Sequence, residues 1–486
     1  MDKKEKLKYL AVKKTVTIKE IMRRIDVAGI RIALVVDNDK RLIGVATDGD
    51  IRRAILSGKN LDKEVGEIMI MNPISAREGS SANDLLKIMI RKGIQEIPLV
   101  NQEGVLTDVV SLFELKNIPL SSPDITDREV ETIRQVLSTP FLSIGPKVKE
   151  FEKKIADFIG TRYAVAVNSG TSGLHLAVRS LDIKDGDEVI TSPFSFIASA
   201  NCMLFERAKP VFVDIDEKTL CIDSAKIEEK ITKKTKAILP VHIFGHPCDM
   251  DEIIRIAKKH NLAVIEDACE AIGAKYKGGM AGSFGDCGVF AFYPNKQITT
   301  AEGGIIVTNN EKIAKLCQSM RNQGRDEGDE WLCHSRLGYN YRMSELSASL
   351  GVTQMERIKE ILKKRQKVAA TYNEKLSRIK GIKIPYIDSS VDMSWFVYVI
   401  RLDDKIFSNK DRNRIIQKLK EKGIDSREYF PPIHLEPLYV KMFGYKKNDF
   451  PITEKVSEAT IALPFYNNLR EEEIDYVCRN LKDLLG

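Results

Sequence analysis

The sequence predicts an α/β protein: a mostly parallel sheet covered by helices, with a smaller α+β domain after it and a repeat module before it. Three observations carry this. From Ile125 onward, short apolar runs alternate with amphipathic stretches; the first 117 residues run through one order of elements twice; and the alternation fades over 371–486. Strands that alternate with helices pair in parallel, and the helices then cover both faces of the sheet. At 486 residues the chain exceeds what one core serves, so a division into 1–120, 121–370 and 371–486 is expected.

The repeat comes first. Residues 17–57 read helix, strand, strand, helix (TIKEIMRRI, IALVVD, LIGVAT, DIRRAIL), and 81–117 read the same (SANDLLKIMIRKG, EIPLV, VLTDVV, LFELKN). Apolar residues spaced three and four apart, such as Leu85, Ile88 and Met89, mark one helix face. Neither unit can bury its apolar face by itself, so the two should pack as one module. After the second strand of the first repeat stand Thr47 and Asp50; the second repeat has Ser111 and Glu114 in those places. The pattern resembles a tandem pair of cystathionine-beta-synthase-type (CBS) domains, in which a Ser/Thr-x-x-Asp holds a nucleotide ribose. The resemblance implies an adenine-nucleotide site at Thr47 and Asp50, with Glu114 a departure that weakens the second site. A structural module that binds nothing is the alternative.

A short polar stretch, 119–123, leads into the main domain. YAVAV, DEVITSP, PVFVDI, AILPVHIF, LAVIED, CGVFAF and GGIIVT read as buried strands, and DMDEIIRIAKKH as a helix whose Asp249 and Glu252 have capping-box spacing.

Three strand ends carry chemistry. NSGTSGLHLA (168–177) follows YAVAV and opens a helix; its glycines let the backbone approach a ligand, and the free N–H groups of a helix start suit a phosphate. A plain helix cap would look much the same. AVIEDACEAIGA (263–274) ends a strand in two acids, where sheet enzymes place ligand groups. FAFYPNKQITTAEGG (290–304) sets one lysine, Lys296, in a turn after a strand. Singly each is unremarkable. Together they match what pyridoxal phosphate needs: a cradle for its phosphate, an acid for its ring nitrogen and an amine to condense with its aldehyde.

Over 125–486 the chain resembles the sugar-nucleotide aminotransferases of the DegT/StrS group, perosamine-synthase-like members above all, and hence the type I fold of pyridoxal-phosphate transferases. By that resemblance Gly170, Thr171 and Ser172 form the phosphate turn, Asp267 is the ring-nitrogen acid with Glu270 near the ring oxygen, Phe196 in SPFSFIAS stacks on the ring, and Lys296 bonds the cofactor. Asn340, in LGYNYRMSELSASLG, would reach across a homodimer interface to the partner subunit's cofactor, and Arg427 and His434, in SREYFPPIH, would touch the sugar. A packed loop histidine is the alternative for His434. Two departures stand out: Ala291 replaces a serine that bonds the phosphate, and Ala301 replaces a glycine, which costs only if that position needs a positive φ.

The resemblance implies amine transfer from glutamate to a nucleotide-linked keto sugar, a 4-keto-6-deoxy hexose, for surface polysaccharide or glycan synthesis. A sugar dehydratase of the same fold has histidine where this chain has Lys296, which argues against it. A regulatory protein sensing adenine nucleotides is a second alternative, opposed by the full set of reactive groups.

Composition agrees. Hydrophobic residues make up 43% and charged residues 30%, as in a soluble globular protein. The net charge of +7 mixes 76 basic with 69 acidic residues, a solvated surface and no nucleic-acid footprint. MDKKEKLKYL has no apolar segment of signal-peptide type, and no apolar run reaches bilayer length. Eight scattered cysteines and six unclustered histidines give no metal spacing and fit a reducing cytoplasm.

Overall fold

The computed structural model describes residues 3–28, 30–115, 117–326, 328, 330 and 333–485. The chain divides into two compact units, 1–118 with 419–424, and 119–418 with 425–486.

In the first unit both predicted repeats form. The helix Ile18–Ala28, the strands Ile32–Val36 and Leu42–Thr47 and the helix Asp48–Leu56 make one; Ala82–Lys92, Glu96–Val100, Leu106–Ser111 and Leu112–Leu115 make the other. Ile18, Ile21 and Ile25 are buried along one face of the first helix, each contributing about 2 kcal/mol of burial. Every residue of Ile32–Val36 is buried, so that strand lies between two apolar layers. Ser81 caps the helix Ala82–Lys92, and Gly93, at φ 64°, ends it. Ser111 is buried, and the side chain of Glu114 lies outside the described residues.

The second unit is built on a seven-stranded sheet. Its order is Lys209–Phe212, Glu188–Thr191, Thr235–Leu239, Ala263–Asp267, Cys287–Ala291, Gly304–Thr308 and Tyr163–Val167. All seven predicted strands are present. Gly304–Thr308 runs antiparallel to both neighbours, and the rest pair in parallel. Register then fixes the geometry that matters. Ala291, Gly304 and Val167 are level across three strands. The turns that leave or enter those strands, at 168–170, 292–296 and 301–303, therefore meet at one edge of the sheet, with Asp267 at the end of the next strand.

The predicted capping box at 249–252 forms by half. Asp249 accepts from the Glu252 N–H, but the Glu252 carboxylate turns forward to Arg255 instead of back to the Asp249 N–H, so the box does not close. Beyond the large sheet, Ile382–Lys383, Tyr398–Leu402 and Thr460–Leu463 form a small antiparallel sheet. Its aromatic core stacks Tyr372 on Tyr398 and Tyr398 on Trp395. The segment that opens this unit is held by charge: Asp124 accepts from Lys364, Asn467 and Asn468 and pairs with Arg357. Burial raises its carboxyl, but these bonds outweigh burial and hold it at about 2.

Candidate active site

A cavity of about 430 Å³ opens where those turns meet. Its wall includes Gly170, Thr171, Phe196, Asp267, Glu270 and Lys296, six residues drawn together from four separate stretches of sequence.

The first stretch is the helix Gly170–Ser180, capped by Ser169, whose Oγ accepts from the Ser172 N–H. The first N–H groups of a helix have no partner within it, and here Gly170 and Thr171 present that end to the cavity. Ser172 is turned away. Its hydroxyl bonds Asn168 at 2.6 Å and Ser169 at 2.8 Å, so it completes the cap from behind. A side chain at Gly170 would stand 2.7 Å from the Ala291 Cβ, so backbone must line this end. Ala291 also lines the cavity, and it offers no hydroxyl there.

The second stretch ends the strand Ala263–Asp267, and the two acids separate because successive strand residues face opposite ways. Glu266 is fully buried and accepts from the backbone N–H groups of Gly282, Phe284 and Gly285 and from His242. It ties down a loop. Asp267 faces the cavity, where Ser199 Oγ donates to its Oδ2 at 2.6 Å and the Cys269 N–H to its Oδ1 at 3.2 Å. Ser199 is aligned in turn by Ser195 at 2.7 Å. Burial, with the Asp267 charge beside it, drives the Cys269 thiol well up, so that neighbour stays neutral.

Lys296 follows on the turn after Cys287–Ala291, its N–H closing on the Tyr293 carbonyl. Its side chain is 13% exposed, with Nζ 3.4 Å from Glu270 Oε1 and 3.9 Å from the centre of the Phe396 ring. Glu270 also accepts from the Phe244 N–H at 2.8 Å. Burial pushes the Glu270 carboxyl up against the pull of the Lys296 ammonium. Phe196 is exposed and also lines the cavity.

The remaining expected residues lie elsewhere. Asn340 is exposed in an irregular segment that pairs with Asn322. Arg427 is exposed and pairs with Asp425 at 3.4 Å, two residues before the cavity-lining Tyr429. His434 departs from the expected sugar contact: it is 0% exposed, its Nε2 bonds Glu454 at 3.0 Å, and its ring packs on Phe450. The packed-histidine alternative describes it. Thr47 and Asp50, in the first unit, bond each other as a capping box, Thr47 Oγ1 donating to Asp50 Oδ2 at 2.6 Å, and Arg53 pairs with Asp50. Ala301 does have a positive φ, 64°, so the missing glycine carries a cost.

Sequence reasoning missed several wall residues. Ser199 was within reach, since it stands four residues after Ser195 at the start of the helix Ala198–Leu204. Phe396, Tyr429 and Phe430 come from irregular segments with no periodicity to choose them.

A mixed sheet that gathers a helix start, a carboxylate and a lysine at adjoining strand ends is the layout of pyridoxal-phosphate enzymes of the aminotransferase fold. The residues present fit that cofactor: the cavity is large enough, its glycine end leaves no room for a side chain, and its acid and amine are both held in place.

The chain belongs to the DegT/DnrJ/EryC1/StrS aminotransferase family, which matches residues 123–482, and residues 6–57 and 65–120 match CBS domains. It is 38% identical over 376 residues to the GDP-perosamine synthase of Caulobacter vibrioides, covering 77% of this chain and 100% of that one. It is 37% identical over 378 residues to the spore coat polysaccharide biosynthesis protein SpsC of Bacillus subtilis, covering 76% and 97%. Among solved structures, PseC of Helicobacter pylori, an aminotransferase involved in the biosynthesis of pseudoaminic acid, superposes with a TM-score of 0.72 at 28% identity, covering 76% and 99%. The PLP form of Spr1654 from Streptococcus pneumoniae gives 0.72 at 31%, covering 76% and 98%. The protein is a pyridoxal-phosphate-dependent aminotransferase of the sugar-modifying type with CBS domains at its N-terminus. No described helix is long and apolar enough to cross a membrane.

Proposed function

We propose that this enzyme moves an amino group from glutamate to the keto carbon of a nucleotide-linked hexose, a 4-keto-6-deoxy sugar, in the cytoplasm and toward a surface polysaccharide or glycan. The reading rests on one observation above others: Lys296 and Asp267 face the same cavity from adjoining strand ends. The GDP-perosamine synthases among its relatives favour the sugar class.

When bound, pyridoxal phosphate supplies an electron sink and a carbon that carries the amine from donor to acceptor. The chain's residues do the rest. Gly170 and Thr171 hold the phosphate at the helix start, with Ser172 closing the cap behind them. Asp267, aligned by Ser199, keeps the ring nitrogen protonated through its carboxylate. Phe196 would cover one face of the ring, and Glu270 would lie toward its oxygen side. Lys296 would anchor the cofactor through Nζ and, when free, would take up and hand back the proton at the donor α-carbon. Arg427 is exposed beside the Tyr429 wall, where a sugar nucleotide would enter.

The site is completed by a second copy of the chain. Val130, Leu137, Phe141, Leu142, Ile144 and Leu337 are exposed apolar residues of this unit, and Asn340 is exposed near Leu337 in sequence. Asn340 then serves the partner's cofactor phosphate. Within each copy, 121–370 form the cofactor-binding part and 371–486 the smaller domain, while 1–120 bind an adenine nucleotide at Thr47 and Asp50 and adjust activity.

A screen of GDP-, UDP- and dTDP-linked keto sugars with glutamate, read by mass spectrometry, tests the reaction. An amino sugar formed from one of them is expected; conversion of none, with the cofactor bound, contradicts the substrate class. Titration with AMP and ATP tests the N-terminal unit: heat and a thermal shift are expected, and their absence makes the pair structural.

A further inference from the structure

Three arginines of this unit are buried and unused by the mechanism; Arg357 pairs with Glu129 and Arg412 with Glu428, which leaves Arg365. Arg365, on the helix Ile358–Leu376, is 2% exposed, and burial lowers its guanidinium to about 9. Among the described residues it bonds no carboxylate. Nε donates to the Trp395 carbonyl at 2.6 Å, Nη2 to the Phe396 carbonyl at 2.6 Å and Nη1 to Asn467 Oδ1 at 2.7 Å, and the group lies over the Phe465 ring. A charge so placed costs more to bury than an apolar side chain of equal volume, so packing does not explain it. What it does is fix three neighbouring groups at once, with a planar fork that a lysine could not reproduce.

One of those groups bears on the chemistry. The residue whose carbonyl Arg365 grips, Phe396, turns its ring to the cavity with the centre 3.9 Å from Lys296 Nζ. The ring face attracts an ammonium. Asn467, the third group, donates onward to Asp124, which Lys364 and Arg357 also hold. A continuous set of hydrogen bonds thus runs from the first residues of this unit to the backbone that carries the ring.

We propose that Phe396 is a further binding group for the reactive amine and that Arg365 is its positioning residue, fixing the 395–396 backbone so that the ring and Glu270 together hold the Lys296 ammonium in place. This rests on the reading that Lys296 is the reacting amine. Between them the two contacts hold the freed lysine stationary while it carries the proton taken from the donor α-carbon, and stop it from swinging out of the cavity before it delivers that proton.

The test uses the full-length, cofactor-free protein and an acetylating N-hydroxysuccinimide ester, with modification of Lys296 timed by peptide mass spectrometry at neutral pH. Only the uncharged amine reacts, so losing the ring's hold on the ammonium speeds labelling. Phe396→Leu, which keeps apolar volume but removes the ring, should raise the Lys296 rate about threefold to thirtyfold, the equilibrium factor of a cation–π contact. Arg365→Lys should move it in the same direction. Tyr372→Phe, which removes the bond to the Pro464 carbonyl in the same aromatic core, should lower thermal stability and leave the rate unchanged. Wild-type labelling in both Phe396→Leu and Arg365→Lys overturns the proposal, and so does an equal rise in Tyr372→Phe, which would mean general loosening. A failure of the underlying reading looks different: Lys296→Ala would retain turnover, whatever the labelling rates.

Discussion

Two short motifs in this chain, one in each unit, are held by their neighbours in different ways. In the first unit Thr47 and Asp50 turn their polar atoms on each other, and Arg53 takes the remaining carboxylate oxygen. In the second, Lys296, Glu270 and Asp267 each have partners that hold them still, yet all three border about 430 Å³ of space. A motif shows that certain groups come together. Whether they are left facing a ligand depends on what else bonds them. The first pair forms a helix cap, whereas nothing in the packing of the second unit calls for a partly buried lysine beside Glu270 in a cavity that Asp267 also lines.

The sharpest way to break this contrast uses the adjacent acids 266 and 267, alike in chemistry and opposite in placement. Asp267→Asn should cut kcat/KM by about a thousandfold, in the range for losing a fixed charge at a reacting group, with little change in thermal stability. Glu266→Gln should do the reverse. With three backbone N–H groups and His242 left facing a neutral acceptor, it should lower unfolding free energy by about 3 kcal/mol while kcat/KM per folded molecule stays as it was. Steady-state kinetics and urea unfolding read both; similar losses of activity in the two variants would erase the distinction. Next in size, Thr47→Ala should lower the stability of the first unit by about 1 kcal/mol through its cap, as seen by hydrogen exchange of 48–56. If it also abolishes the heat of AMP binding, the pair is a ligand site as well as a cap. The smallest effect is expected at Ala301, where a methyl group occupies φ 64°. Ala301→Gly should raise thermal stability by no more than about 1 kcal/mol, because relief of the left-handed strain is partly offset by a freer unfolded chain; a loss of stability would show that its methyl is packed.

Much of the fold was legible because buried strands of a mostly parallel sheet are near-continuous apolar runs, and all seven stood out between amphipathic stretches. The antiparallel direction of Gly304–Thr308 was not, since an apolar run looks the same read either way. The motif ends of the site were legible too: a lone lysine after a strand, glycines before a helix, acids at a strand terminus. Which of the two acids faces the cavity was given only by the resemblance, because strand alternation says that they diverge without saying which side is open. The far wall was hidden for a different reason. Phe396, Tyr429 and Phe430 arrive through long-range packing of irregular segments, and SREYFPPIH offered Arg427 and His434 as the polar choices when its aromatic residues form the wall.

The central claim is that Lys296 is the residue that bonds the cofactor. Reducing the pyridoxal-phosphate-loaded protein with borohydride and mapping the modified peptide tests it directly. The account predicts the pyridoxyl group on the peptide containing Lys296; its appearance on another lysine, or on none, would contradict it.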